Sequence, residues 1–206
     1  MPKNGYLESL RPRIDAAIAE LRELDPSELA RRGGLERDGE ILTLPLLEKT
    51  YTLDWPDLVA RKPDGEACRD DLRILFLDYL RLGDGSAPTG KWVGYQELPN
   101  GAFYRQAFQG YSGDQLVRDL GEDIEVFRGA ATAMGGEPAE LGDAGFSFRV
   151  LPQVPLAVVW WAGDEEFPAN ATVLFDEVAG RYLPTDGLAV LGRMLCRALA
   201  KTGATT

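Results

Sequence analysis

The chain contains no histidine. Ser-His-Asp and Cys-His catalysis, zinc held by imidazole and haem with a proximal histidine all need that side chain, so none can be built from this chain alone. Cysteine is scarce: Cys68 and Cys196 are the only two, far apart and not in a Cys-x-x-Cys pair. Cys196 falls on an apolar helix face and reads as a buried free thiol. A disulfide between the two does not suit a reducing cytosol. No apolar run approaches the ~20 residues of a membrane span, and no basic, apolar, small-residue leader starts the chain, so a cytoplasmic protein is expected. Basic residues are outnumbered, 22 against 33 acidic, for a net charge of -11. Without clustered Lys and Arg, nucleic acid and anionic membrane are excluded as partners, whereas a basic partner or a cation is permitted. Phosphate loops are absent too: no Gly-x-Gly-x-x-Gly or Walker pattern occurs, and Gly83-Asp84-Gly85 lacks a flanking strand and a third glycine.

What is present is an ordinary globular composition, 45% hydrophobic and 27% charged, sufficient for a core that needs no staples. Leu10, Ile14, Ala17, Ile18, Leu21 and Leu24 form a helical stripe within Tyr6 to Arg32. Asp25-Pro26-Ser27 breaks that helix and Gly33-Gly34 ends it. Glu40 to Leu47 and Tyr51 to Trp55 read as a hairpin near a sheet edge. Ala67 to Leu82 is a helix with a wide buried stripe. Trp92 to Tyr95 is extended, Gly101 to Phe108 a helical turn, and Gly113 to Leu120 and Ile124 to Met134 are helices. Pro138 to Asp143 is a connection. Three strands follow at Ala144 to Leu151, Leu156 to Trp161 and Thr172 to Phe175. A last helix spans Asp186 to Ala200, and Gly203 to Thr206 frays. Clustered strands and the short link from Leu151 to Leu156 predict an α+β fold. It is a single domain, residues 1–206, with a mostly antiparallel sheet of about five strands and helices packed on it.

Three stretches carry candidate chemistry. Gly163-Asp164-Glu165-Glu166-Phe167-Pro168 caps the buried strand with carboxylates, and Asp176 ends the next strand. These acids suit a hard cation or acid–base work, with Glu165 or Asp176 as base. They equally suit a solvated turn capping backbone N–H groups. If the strands form a hairpin, Asp176 lies away from the acidic turn; if they are parallel or separated, it can join it. In Tyr182-Leu183-Pro184-Thr185-Asp186-Gly187, Thr185 is a good N-cap for the last helix, with Asp186 at its positive end. A helix N-terminus also holds anions, but Asp186 argues against phosphate. The aromatics Trp92, Tyr95, Tyr104, Tyr111, Trp160 and Trp161 serve either a core or a pocket. Adjacent tryptophans on a strand point to opposite faces, so Trp160 and Trp161 divide between core and a second layer or cleft.

These residues also carry a resemblance. Trp161-Ala-Gly-Asp-Glu-Glu-Phe-Pro168, Leu174-Phe175-Asp176, Tyr182-Leu-Pro-Thr-Asp186 and Leu188-Ala-Val-Leu-Gly192 resemble the prokaryotic family called domain of unknown function 3786. Thr89-Gly-Lys-Trp92, Glu97-Leu-Pro-Asn-Gly-Ala-Phe103, Ala133-Met-Gly-Gly-Glu137 and Leu151-Pro-Gln-Val-Pro155 agree with its earlier segments. The chain departs at Asp186-Gly187, where the family pattern has Glu-Asp, which weakens any role for paired acids there. The resemblance implies an anaerobic bacterial or archaeal setting. It also implies a link by association to one-carbon, corrinoid or redox metabolism, because some members resemble fusions to a four-cysteine iron–sulfur segment that this chain lacks. No cofactor is identified by any motif.

The leading expectation is a cytoplasmic accessory or binding module. It would hold a small organic ligand or cofactor, or a basic or iron–sulfur protein partner, through Trp92, Tyr104, Trp161, Asp164, Glu165, Glu166, Asp176, Tyr182 and Asp186. The alternatives are a carboxylate-based enzyme, with or without a divalent metal, and an acidic protein-interaction module.

Overall fold

The computed structural model describes residues 3–205. The chain is α+β and groups into two compact units, each with its own antiparallel sheet.

The first unit takes in the chain up to Ala87 together with Leu151–Gln153 and Arg181–Pro184. Helix α1 (Lys3–Arg22) buries Leu10, Ile14, Ala17 and Leu21, spaced by three or four residues, and packs on α3 (Asp70–Leu82). The predicted break is real. Asp25 caps α2 (Pro26–Gly33) by accepting the Ser27 amide at 3.0 Å, and Gly34 closes it in the left-handed region at φ +63°. Strands β1 (Glu36–Asp38), β2 (Ile41–Leu46), β3 (Lys49–Asp54) and β4 (Val59–Arg61) form a meander in chain order. The predicted hairpin is β2–β3, but it is the middle of this sheet rather than an edge. The short outer strands escape a pattern search because three residues, all exposed in β1, carry no alternation. Leu42, Leu44 and Leu46 alternate inward along β2.

Two tyrosines tie this unit together. Tyr79 is fully buried; its hydroxyl donates to the Gly33 carbonyl at 2.6 Å and accepts the Gln153 amide at 3.1 Å. Tyr182 stacks on it with ring centroids 5.4 Å apart, and its own hydroxyl donates to the Ser86 carbonyl at 2.7 Å. Both phenols are thus paired, as buried hydroxyls must be.

In the second unit the sheet order is β5 (Trp92–Gly94), β9 (Asn170–Asp176), β8 (Val154–Trp161), β7 (Ala144–Leu151), β6 (Glu137–Ala139). The three clustered strands expected from the sequence, β7–β9, form its centre, but the β2–β3 hairpin expected at its edge belongs to the separate sheet of the first unit. Strand β6 lies where a connection was expected. The β8–β9 pair is antiparallel, running from Leu156 opposite Phe175 to Trp161 opposite Asn170. Helices α4 (Gly101–Tyr111), α5 (Gly113–Leu120), α6 (Ile124–Ala133) and α7 (Thr185–Gly203) complete the unit. Phe108 of α4 stacks on Tyr95 at 4.2 Å, meets Phe175 at 5.8 Å, and leaves no room for a side chain at Gly192 of α7. Trp160 is fully buried and stacks on Phe127 of α6 at 5.1 Å; its indole N–H finds no acceptor among the described residues.

Two details of α7 correct the sequence reading. Thr185 is the first helical residue, and its hydroxyl donates to the Pro99 carbonyl at 2.7 Å, so it tethers the turn before α4 instead of capping α7. Order also extends further, because α7 continues to Gly203 and the Ala204 amide still donates to Ala200. Thr206 lies outside the described residues.

Candidate functional site

The β8–β9 hairpin decides where the predicted site residues go. Asp176 stands six residues along β9 from Asn170, about 20 Å at the rise of a strand. The acidic turn projects from the opposite end, beyond the Trp161–Asn170 pair. Asp176 therefore does not join Asp164, Glu165 and Glu166. It is fully buried and committed: one oxygen accepts the amides of Thr89 at 3.0 Å and Gly90 at 2.7 Å, and the other accepts the Val178 amide at 3.1 Å. This carboxylate folds the Thr89–Gly90 loop over the end of β9, beside half-buried Trp92, its cross-strand partner. Asp164 is also occupied. It accepts the Glu166 and Phe167 amides at 2.8 and 2.7 Å, and those donors hold its carboxyl below the usual range. Glu165 and Glu166 are exposed. Among the described residues no three carboxylates or thiols gather as a metal-ion site. Tyr182 belongs to the first unit, where it packs.

Tyr104, 65% exposed, lies on the face of α4 that carries Phe108 and Tyr111 at helical spacing. Burial raises the Tyr95 phenol, and the charges of Tyr111, Asp186 and Tyr104 raise it further. Arg193 sits 5.9 Å over the Tyr111 ring.

The opposite face of α4 builds a groove of about 480 Å³ with Trp161. Its origin is a mismatch of strand lengths. Strand β5 pairs only with Leu174, Phe175 and Asp176, leaving the first half of β9 without a strand on that side. Gln109 fills the gap: its amide nitrogen donates to the Ala171 carbonyl at 2.8 Å and to Asp114 of α5 at 2.7 Å. The groove lies above this clamp. Arg105 and Gln106 share the Gln109 face of α4, Gln96 enters from the turn before it, and Trp161, Asn170 and Thr172 line the strand side. Trp161 is 39% exposed while Trp160 is wholly buried, the division that strand alternation predicts. The side chains of Gln96, Arg105, Gln106 and Asn170 make no hydrogen bond or ion pair among the described residues. A second hollow, about 430 Å³, lies in the first unit against Arg31 and Arg37. Arg31 is bound at 2.7 Å to Glu28 and Arg37 at 2.6 Å to the Ser27 hydroxyl, so its cations are already engaged.

A family model matches residues 25–198. The chain belongs to the family Domain of unknown function (DUF3786). The DUF3786 match spans every residue of the groove and of the Asp176 loop. No curated protein and no solved structure matches the chain.

Of the groove, the sequence singled out Trp161 alone. Searches for catalytic chemistry look for titratable or metal-ligating groups, and carboxamides are neither. One available signal was the amphipathicity of α4, whose polar face carries Arg105, Gln106 and Gln109 and whose eleven residues include no acid.

Proposed function

We propose that the chain is a binding protein that holds a small polar organic molecule in the α4–β8–β9 groove. The convergence of four uncommitted polar side chains on the half-exposed indole of Trp161 carries this reading. An aromatic face supplies contact area, and placed donors and acceptors supply orientation, which is how small-ligand sites are generally made. The Gln109 clamp supports it further, since groups fixed before binding lose less entropy on binding. A reading based on paired catalytic carboxylates has no comparable support, because Asp176 is buried, fully bonded and distant from the acidic turn. We take the compartment to be the cytoplasm, a reading supported by two unpaired cysteines.

The test is tryptophan fluorescence of the full chain titrated with a panel of amino acids, nucleosides and sugars, repeated with Trp161→Ala. A saturable change that the substitution abolishes is expected. A ligand that binds Trp161→Ala as tightly as the parent chain would place its site elsewhere and remove the groove from consideration.

A further inference from the structure

Resting on that reading, we infer that the groove takes a free amino acid, held as a zwitterion between Arg105 and Asp114. Both side chains line the groove, Arg105 from α4 and Asp114 from the first turn of α5. No ion pair joins them, and neither is bridged to another charged side chain among the described residues. One cation and one carboxylate thus border the same space without neutralising each other. A molecule carrying both an ammonium and a carboxylate satisfies the two at once: Arg105 can take the carboxylate in bidentate fashion, and Asp114 the ammonium. Only one oxygen of Asp114 accepts from Gln109, at 2.7 Å, which leaves the other for the ligand. The carboxamides of Gln96, Gln106 and Asn170 each carry a donor and an acceptor, so they can complete the hydrogen bonds of either ligand group.

Other classes match less well. A neutral sugar or nucleoside would use neither charge. A simple anion would reach Arg105 but meet Asp114, and Asp164, Glu165 and Glu166 in the turn beyond Trp161 add to the repulsion. A simple cation would suit the acids but face Arg105 as a like charge. A peptide strand is disfavoured on separate grounds. Strand addition needs free backbone groups at a sheet edge, and the Ala171 carbonyl on this edge is already taken by Gln109 at 2.8 Å. With the two charged groups of the ligand assigned, the half-exposed indole of Trp161 falls to its side chain, which favours an apolar or aromatic amino acid over glycine.

The experiment is calorimetric titration of the full chain with leucine, phenylalanine and glycine, with leucinamide and N-acetyl-leucine, and with glucose and adenosine. The series is repeated with Arg105→Gln, Asp114→Asn and Trp161→Ala. Leucinamide lacks the ligand's carboxylate and keeps its ammonium; N-acetyl-leucine does the reverse. Leucine should bind about tenfold more tightly than either derivative, the effect of one charge-assisted contact, and more tightly than glycine. Arg105→Gln should weaken leucine about tenfold and leave leucinamide unchanged. Asp114→Asn keeps an oxygen for Gln109 to bond, and should weaken leucine likewise while leaving N-acetyl-leucine unchanged. Arg105 is exposed, so its substitution leaves the fold intact, and the comparison of leucine with its derivatives on the parent chain needs no variant at all. Leucinamide or N-acetyl-leucine bound as tightly as leucine overturns the zwitterion assignment. Glucose or adenosine as the tightest Trp161-dependent ligand overturns the amino-acid class while leaving the groove standing, and failure of both leucine and phenylalanine to bind overturns that class as well. Amino-acid binding untouched by Trp161→Ala overturns the groove itself.

Discussion

Asp176 shows how much one side chain can organise. Both its oxygens are saturated by backbone amides, so replacing it with Asn turns an NH2 group toward N–H donors. Asp176→Asn should cost about 3 kcal/mol, the range for losing charge-assisted bonds in a buried site, measured as a shift of the urea midpoint. Glu28 gives a pH signature. Hydrogen bonds from Arg31 and then Arg32 hold its pKa at about 2, against an ordinary 4.5. A carboxylate lowered in the folded state binds fewer protons there than in the unfolded chain. Its contribution is therefore fully present above pH 4.5 and is lost as pH falls toward 2. Glu28→Gln should flatten the acid limb of a stability–pH curve over that window, and an unchanged limb would show that this exposed pair does not contribute. Cys196 is buried, and burial alone pushes its thiol up to about 12. Iodoacetamide at pH 8 should leave it unmodified in the native protein and label it only after unfolding, as read by intact mass. Half-buried Cys68 should react first.

At the scale of elements, the contact between α5 and β9 depends on Gly113. A side-chain carbon there would collide with the Ala171 carbonyl, a backbone atom that cannot swing aside. Gly113→Ala should destabilise by about 1–3 kcal/mol. Because Gln109 bonds the same carbonyl, it should also weaken ligand binding in the groove, which titration of the folded variant would reveal. Elements with a strong repeating pattern were legible in the sequence. The α1 stripe as far as Leu21, the apolar run of β8 and the alternation of β7 stand where the pattern puts them, although Leu24 lies past the helix end and is exposed, and Asp25-Pro26 marked a helix boundary. Of the strands of three residues only β5, marked by Trp92, was legible; β1, β4 and β6 exist through their neighbours' hydrogen bonds rather than their own side chains. Thr185 failed as a cap because α7 begins on it rather than after it, and the Pro99 carbonyl that takes its hydroxyl proton is invisible to a reading of adjacent residues. The groove was illegible because it arises from a difference in strand length between β5 and β9. Trp161 was found through its neighbour Trp160, while the amides facing it gave no signal of their own.

At the scale of the molecule, the first unit is discontinuous. Tyr182, fully buried, stacks on Tyr79 from more than a hundred residues away, and Gln153 supplies the amide that Tyr79 accepts. A fragment ending at Ala87 lacks both. It should fail to reach the near-UV circular dichroism and urea cooperativity expected of a folded unit, even though it holds the whole β1–β4 sheet. A cooperative transition in that fragment would show that the tyrosine stack is dispensable. The same threading bears on biosynthesis. A ribosome releases the chain from its N-terminus, yet the first unit stays incomplete until Arg181–Pro184 have emerged, after all of the second but its last segment, Thr185–Thr206, has been made. The face of Tyr79 that Tyr182 will cover must wait through most of translation. The portion synthesised first is thus among the last to be closed.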